Sequence, residues 1–264
     1  MIGMPAVSLK ARMSFSVMAL VLIIMAGVGG IALHYFEKSF RLLIADQQAT
    51  LVQQLALRID TQLKQASALI VATADAFPRE LLNNADLAQE YLDQQLGLGT
   101  TSLFDNGIFL FSAEGLMLAE YPFIAGRRGR DYSFREYFQS TLRSGKAQIS
   151  DPYTSSQSHG HPAVNFTAPI FDQGGQLLAV LAGSVDLTQK NFLGGLSEVR
   201  IGQTGYLYLF NTERLMIMHA DPARIMKKDV PLGANLWFDR AIEGFEGTEL
   251  TVNSRGLHTL VTFR

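Results

Sequence analysis

Residues 126–139 read GRRGRDYSFREYFQ, a stretch that opens as a glycine-broken loop, continues as helix, and holds four arginines and four aromatic rings. Arg135 falls at the helix start, with Tyr137 and Phe138 just behind it. A guanidinium presents a planar fork that matches a carboxylate, and nearby rings exclude water, so each charged hydrogen bond contributes about 1.5–3 kcal/mol. The pattern reads as a pocket for a small anion. The plainer reading is a solvated basic loop, with Arg135 paired to Glu136 or Asp131 at little gain in stability.

Other residues could join such a pocket. Tyr153 closes the DPY of 151–153 as an aromatic at a strand end. Asn165 and Thr167 alternate with Val164 and Phe166, which makes one face of that strand polar, towards either solvent or a pocket. Arg127, Arg128 and Arg130 are loop charges that draw anions at longer range, with Arg130 as the candidate contact. His159 and His161 flank Gly160, and two imidazoles so spaced can share a metal ion. Zinc takes three or four ligands, however, and no neighbouring carboxylate or thiol pattern completes a set, so no metal site is expected. His219 and Trp237 read as packing residues. There is no G-x-S-x-G elbow, H-E-x-x-H, Walker loop, or kinase or cyclase signature, and GLGTTS at 97–102 is one glycine short of a weak dinucleotide turn. The recognisable routes to catalysis are removed, and no cofactor is expected.

The elements that must hold these residues begin with an anchor. Residues 14–33 carry no charge, and at helical rise they span ~30 Å, a bilayer's hydrocarbon core. One crossing is predicted over 14–35, after a cytoplasmic N-terminus at 1–13. Lys10 and Arg12 precede the span and His34, Tyr35 and Phe36 follow it, which sets that orientation. A cleavable signal peptide is the rival, but its apolar core is shorter, ~7–15 residues. The membrane is expected to be the inner (cytoplasmic) one, with everything after about residue 36 outside the cytoplasm. From Phe36 to Phe77 there is no glycine or proline, and Val52, Leu55, Ile59, Leu63, Ala66 and Ile70 recur at helical spacing. A stalk helix over 36–78, stopped by Pro78, is suited equally to lie on a domain or on its twin in a homodimer.

Beyond residue 100 the pattern turns to short strands. GIFLFSAEGLMLAEYP at 107–122 reads as one hairpin, and AVNFTAPIFDQGGQLLAVLAGSVDL at 163–187 as another bent at DQGG. A helix over about 134–143 lies between them, and a shorter one over 86–96 precedes them. FSAEGLMLAEY at 111–121 aligns with FNTERLMIMHA at 210–220, and YFQSTLRSG at 137–145 with WFDRAIEGF at 237–245. The predicted fold is α+β, two copies of one antiparallel-sheet-plus-helix unit at 79–190 and 191–264, threaded on the long N-terminal helix. The closing LHTLVTFR reads as a strand without a cap, so the second copy is expected to be truncated and the chain to be the front of a longer protein. With 22 basic against 24 acidic residues the chain has no global field for a nucleic acid, and without cysteine it has no disulfide or thiolate site.

DYSFREYFQ (131–139), ISDPY (149–153), APIFDQGGQLLAVLAGSVDL (168–187) and IGQTGYLYLF (201–210), in this order behind a membrane helix, resemble a double Cache sensor. Such modules form the extracytoplasmic part of bacterial chemoreceptors, sensor histidine kinases and membrane-bound diguanylate cyclases or phosphodiesterases. The resemblance implies two PAS-like sheets along the helix, with ligand held in the membrane-distal one by Arg135, Tyr137, Phe138, Tyr153, Asn165, Ser184, Arg130 and His161. The wording of the second module is most similar to sensors placed before cyclic-di-GMP enzymes. The amino-acid version of the pattern has tryptophan and tyrosine after its arginine, where this chain has Tyr137 and Phe138. Aligning the late strand on Leu187 leaves Ser184 where that version has an acid for the amine, although Asp186 is two residues away. An organic acid is therefore the expected ligand, an amino acid or amine the alternative. Two rival classes remain: a membrane-anchored hydrolase using His159 or His161, and a protein-interaction or dimerisation platform.

Overall fold

A computed structural model describes residues 9–96, 103–253 and 256–264. The 97–102 segment and most of the N-terminal 1–13 stretch lie outside the described residues. Helix α1 (Leu9–Ala76) joins the expected anchor and stalk without a break, and its 68 residues extend about 100 Å at helical rise. Met13, Phe15, Leu22, Ile23, Ile31 and Phe36 on its first half are all exposed. It is the one described helix long and apolar enough to cross a membrane. Farther along, Ala66, Ile70, Ala74 and Phe77 are buried at intervals of one helical turn. That stripe meets the sheet.

After a 3-10 turn at Arg79–Asn83 comes α2 (Ala85–Leu96), then strands β1 (Gly107–Ser112) and β2 (Met117–Tyr121). Helix α3 (Glu136–Ser144) is followed by β3 (Gln148–Ile149), β4 (Tyr153–Thr154), β5 (Pro162–Phe171) and β6 (Leu177–Asp186). The strands form one antiparallel sheet in the order β2-β1-β6-β5-β3, with β4 also on β5. β3 and β4 are one edge strand interrupted at Asp151–Pro152, where proline has no N–H to give. Ser150 bridges the gap, its N–H donating to Asn165 O and its hydroxyl accepting from Asn165 N. The opposite edge, β2, is blunted by α2: the Gln89 amide accepts from Glu120 N–H and donates to Glu120 O, as a neighbouring strand would.

The β5–β6 register sorts side chains by the period of two. Val164, Phe166, Ala168, Leu181 and Val185 join Ala66, Ile70 and Phe77 in the main core between sheet and α1. Val180 and Ala182 face the other way, into a second apolar cluster with Phe109, Phe111, Tyr132, Tyr137 and Phe138. Asn165 and Ser184 pair directly across the two strands, so they share a face, with Asp186 two residues further along β6 on the same side.

The second unit holds β7 (Arg200–Ile201), β8 (Gly205–Tyr206), β9 (Tyr208–Phe210), β10 (Met216–His219), α4 (Leu236–Ile242), β11 (Gly247–Val252) and β12 (His258–Phe263). Its likeness to the first extends to backbone detail. Gly115 and Arg214 take the same left-handed turn position, with φ of 91° and 67°. Met117 exchanges backbone bonds with Gly129 and Arg130 as Met216 does with Met226 and Lys227. Where β6 stands between β1 and β5, the second unit has a cleft of about 290 Å³ lined by β9, β12 and Val52 of α1. No described strand fills it.

Gly183 sits on β6 under the Phe104 ring, and a Cβ there would come within 2.6 Å of it, whereas one at Gly195 would meet open space. Gly183→Ala is expected to destabilise the outer part by about 1–3 kcal/mol through overpacking, with Gly195→Ala close to neutral. Circular-dichroism melts of the detergent-solubilised chain compare the two.

Candidate functional site

The polar face of β5 and β6 is covered by α3, the loop before it, and the 155–161 loop. Arg135 is the N-cap residue of α3, in extended conformation with φ −73° and ψ 131°. Its Nη1 donates to Thr154 O at 3.3 Å, and its guanidinium lies 5.5 Å from the Tyr153 ring centre and 5.2 Å from that of Phe134. Both partners of the plainer reading are engaged elsewhere. Glu136 pairs with Arg143, and Asp131 accepts from Ser133 N–H. Among the described residues no carboxylate pairs with Arg135, and its Nε is buried without a hydrogen-bond partner.

Tyr137 is buried with its ring 5.0 Å from Tyr153. Burial pushes both phenols up from their ordinary range, so neither ionises under ordinary conditions. The Tyr153 hydroxyl donates to Asn165 Oδ1 at 2.9 Å and lies 3.2 Å from Ser184 Oγ. Asn106, just before β1, donates to Ser184 Oγ at 2.7 Å. Two groups in this network have no partner: Asn165 Nδ2 and Asn106 Oδ1, both on buried residues. A buried polar group without a partner costs about 1–3 kcal/mol. Phe138 packs in the apolar cluster beside Phe111 rather than among the polar groups.

Of the loop arginines, Arg130 is exposed and donates to Gly126 O at 2.7 Å, and Arg128 pairs with Asp86. Arg127 is the one that enters. It is buried 5.3 Å from the Phe109 ring centre, pairs with Glu120 at 2.9 Å, and donates to Ser156 Oγ at 3.2 Å and Tyr132 Oη at 3.4 Å. At the far end, His161 Nδ1 lies 2.7 Å from Asp186 Oδ2 and 3.0 Å from Thr188 Oγ1. Burial alone would raise the Asp186 carboxyl, but the bonds from Thr188 and His161 outweigh it and hold the group below the usual carboxylate range.

The fold thus gathers Arg135, Tyr137, Tyr153, Asn165 and Ser184 around one buried polar network, with His161 at its margin and Arg130 outside it. Sequence reasoning missed Asn106, which it did not single out, and did not separate Arg127 from its two like neighbours. It named Asp186 but passed it over for Ser184. The two described clefts lie elsewhere, one between β9 and β12 and the other beside α2, Phe123 and Arg128.

A sheet covered on both faces, carried on a membrane-length helix, thus encloses a buried polar cluster with one unpartnered donor and one unpartnered acceptor. The family profile described as Cache domain, dCache_1, matches residues 36–263, and the chain belongs to that family. A search of curated protein sequences finds no match. Among solved structures it is similar to the ligand-binding domain of Mlp24 with asparagine, at 18% identity, TM-score 0.62, and coverage of 86% of this chain and 88% of that one. It is also similar to the ligand-binding domain of the Pseudomonas aeruginosa PAO1 amino acid chemoreceptor PctC in complex with GABA, at 18% identity, TM-score 0.59, and coverage of 83% and 91%. A third is that of the Pseudomonas fluorescens chemoreceptor CtaA in complex with L-isoleucine, at 21% identity, TM-score 0.56, and coverage of 72% and 74%. The expected family and the α+β architecture are borne out. The hydrolase reading is set aside.

Arg127 and Glu120 form a buried pair, so removing one charge strands the other. Arg127→Met is expected to cost about 3–5 kcal/mol, and Glu120→Leu/Arg127→Met to recover most of that. Denaturant unfolding of the single and double variants gives the comparison, and additive losses would show that the two charges act independently.

Proposed function

We propose that this chain is the ligand-sensing region of a membrane-anchored signalling receptor and that its distal module, about residues 79–190, binds a small amino acid. The carrying observation is the polarity of the buried face: the unpaired Arg135 fork at one end, the Asp186 carboxylate at the other, and unpartnered Asn165 Nδ2 and Asn106 Oδ1 between. Arg135 takes the carboxylate, bidentate where geometry allows. Tyr137 and Tyr153 wall off water, and Asp186 supplies the counter-charge for an amine. The amino acids held by the similar domains support this class of ligand.

An organic acid without an amine is the second reading. It is favoured by the prior engagement of Asp186, whose Oδ1 accepts from Thr188 and whose Oδ2 lies against His161. Arg130 fits neither reading as a direct contact, though it adds to the local positive field.

In this proposal α1 anchors the chain in the inner membrane, with residues after about 36 on the outer side. The exposed apolar side chains of Phe40, Leu42, Leu43 and Leu57 support pairing of two copies along the stalk. The second module's sequence supports a cyclic-di-GMP output, and the fold neighbours support a chemoreceptor output equally well. Ligand changes the receptor only as far as it binds one conformation better than the other.

A thermal-shift screen of the detergent-solubilised chain with L-asparagine, L-isoleucine, 4-aminobutyrate and succinate separates the readings. Arg135→Ala is expected to weaken every responding ligand by roughly 10- to 150-fold, the equivalent of one charged hydrogen bond. Asp186→Asn is expected to weaken only ligands bearing an amine. An Arg135→Ala variant that responds as wild type removes this residue from the site, and a response to succinate alone selects the organic acid.

A further inference from the structure

The 155–161 loop carries chemistry that an amino-acid site does not need. Gly160 has a left-handed φ of 64°, which turns the loop so that His161 N–H donates to His159 Nδ1 at 3.0 Å. The two imidazoles then lie 4.3 Å apart between ring centres. The antiparallel register sets Asp186 against the same point: Ala163 pairs with Asp186, and His161 precedes it on the same face. One ligand atom from each of His159, His161 and Asp186 lies within 4.8 Å of the others. His159 is exposed, His161 half-buried and Asp186 buried, so the cluster opens outward from a fixed carboxylate.

We propose that His159, His161 and Asp186 form a binding site for a divalent transition-metal ion of the zinc class. Three donors with the fourth position open to water or to a ligand atom is a common zinc arrangement. Imidazole with carboxylate suits zinc and its neighbours better than calcium or magnesium, which favour all-oxygen sets. The ion replaces the proton between His161 Nδ1 and Asp186 Oδ2, which passes to solvent, and takes the His159 Nδ1 lone pair in place of the His161 N–H, which turns to water. Asp186 is anchored for this role by Thr188, whose N–H and hydroxyl both donate to Oδ1 at 2.7 Å and leave Oδ2 to the cluster. The ion would tie the loop covering the distal site to the end of β6. The site shares Asp186 with the amino-acid proposal but stands on the loop histidines and does not depend on that ligand.

The test uses the full chain in detergent, stripped with a chelator and dialysed against zinc chloride, with bound zinc counted by elemental analysis. One zinc per chain is expected. His159→Ala and His161→Ala should each weaken it by more than the roughly 10- to 100-fold typical of changes outside the ligand set. Because His159 is exposed, its variant keeps the fold, which a melt verifies. Arg135→Ala, which tests the amino-acid site, should leave zinc affinity unchanged, so the two proposals fail separately. A wild-type chain that takes up no zinc, or a His159→Ala/His161→Ala variant that binds it as wild type does, overturns the proposal.

Discussion

The structure depends on one strand pair. β5 and β6 are registered from Ala163 opposite Asp186 to Phe171 opposite Leu177, and both of their faces are covered. A pair with one solvated face could alternate apolar with polar residues freely. Here each strand must satisfy two interiors at once, an apolar one against α1 and a mixed one beneath α3 and the loops. Residues along β5 and β6 are therefore buried almost without interruption, and apart from Thr167, which bonds Thr141 of α3, the buried polar ones lie towards the end nearest Tyr153. Burial without partners is expensive, so Asn106 bonds Ser184, the Tyr153 hydroxyl meets both Asn165 and Ser184, and only a few donors and acceptors are left over.

Much of this was legible because periodicity carries it. The spacing of Val52 through Ile70 marked an apolar stripe on α1 without saying whether a domain or a twin covers it, and its Ile59, Leu63, Ala66 and Ile70 meet the core; DQGG marked the β5–β6 bend, where Asp172 N–H donates to Gln176 O. Arg135 was legible as a residue and less so as a geometry: the helix begins at Glu136, and Arg135 caps it in an extended conformation. The choice between Ser184 and Asp186 could not be made from spacing, since residues two apart on a strand share a face. Both belong to it. The burial of Arg127 rather than Arg130 rests on Glu120, a residue on β2 whose reach across the loop no short-range pattern records. Asn106 was hidden by its place before Gly107, where a turn explains an asparagine fully.

The third donor beside the two loop histidines shows a different kind of omission. No carboxylate lies near His159 and His161 in sequence, and on that ground a metal site was not expected. Yet a hairpin bent at DQGG folds residue 161 back towards residue 188 by simple reflection about the bend, and Leu187 N–H duly donates to Pro162 O at 2.9 Å. Asp186 was within reach of that arithmetic. A ligand search restricted to sequence neighbours fails for antiparallel strands, whose partners are distant in number and adjacent in space.

The same strand pair gives the two sides of the sheet a common mechanical element. Asn165 and Ser184 look towards the polar face, while Val164, Phe166 and Val185, their immediate neighbours along the chain, pack in the core with Ala66 and Ile70 of α1 and with Phe77 just beyond it. Close-packed interiors transmit small displacements because they have little free volume in which to absorb them. A ligand that draws the 155–161 loop and α3 together acts on β5 and β6 from one face, and α1 is the element that bears on the other. Gly183 marks how tightly that second face is filled, since even one added carbon would strike Phe104. Because α1 continues unbroken from this contact to the membrane-length segment, a tilt or shift at Ala66–Phe77 is carried along its axis rather than lost at a joint. Any signal carried through this contact requires a ligand that favours one packing of α1 on the sheet over another.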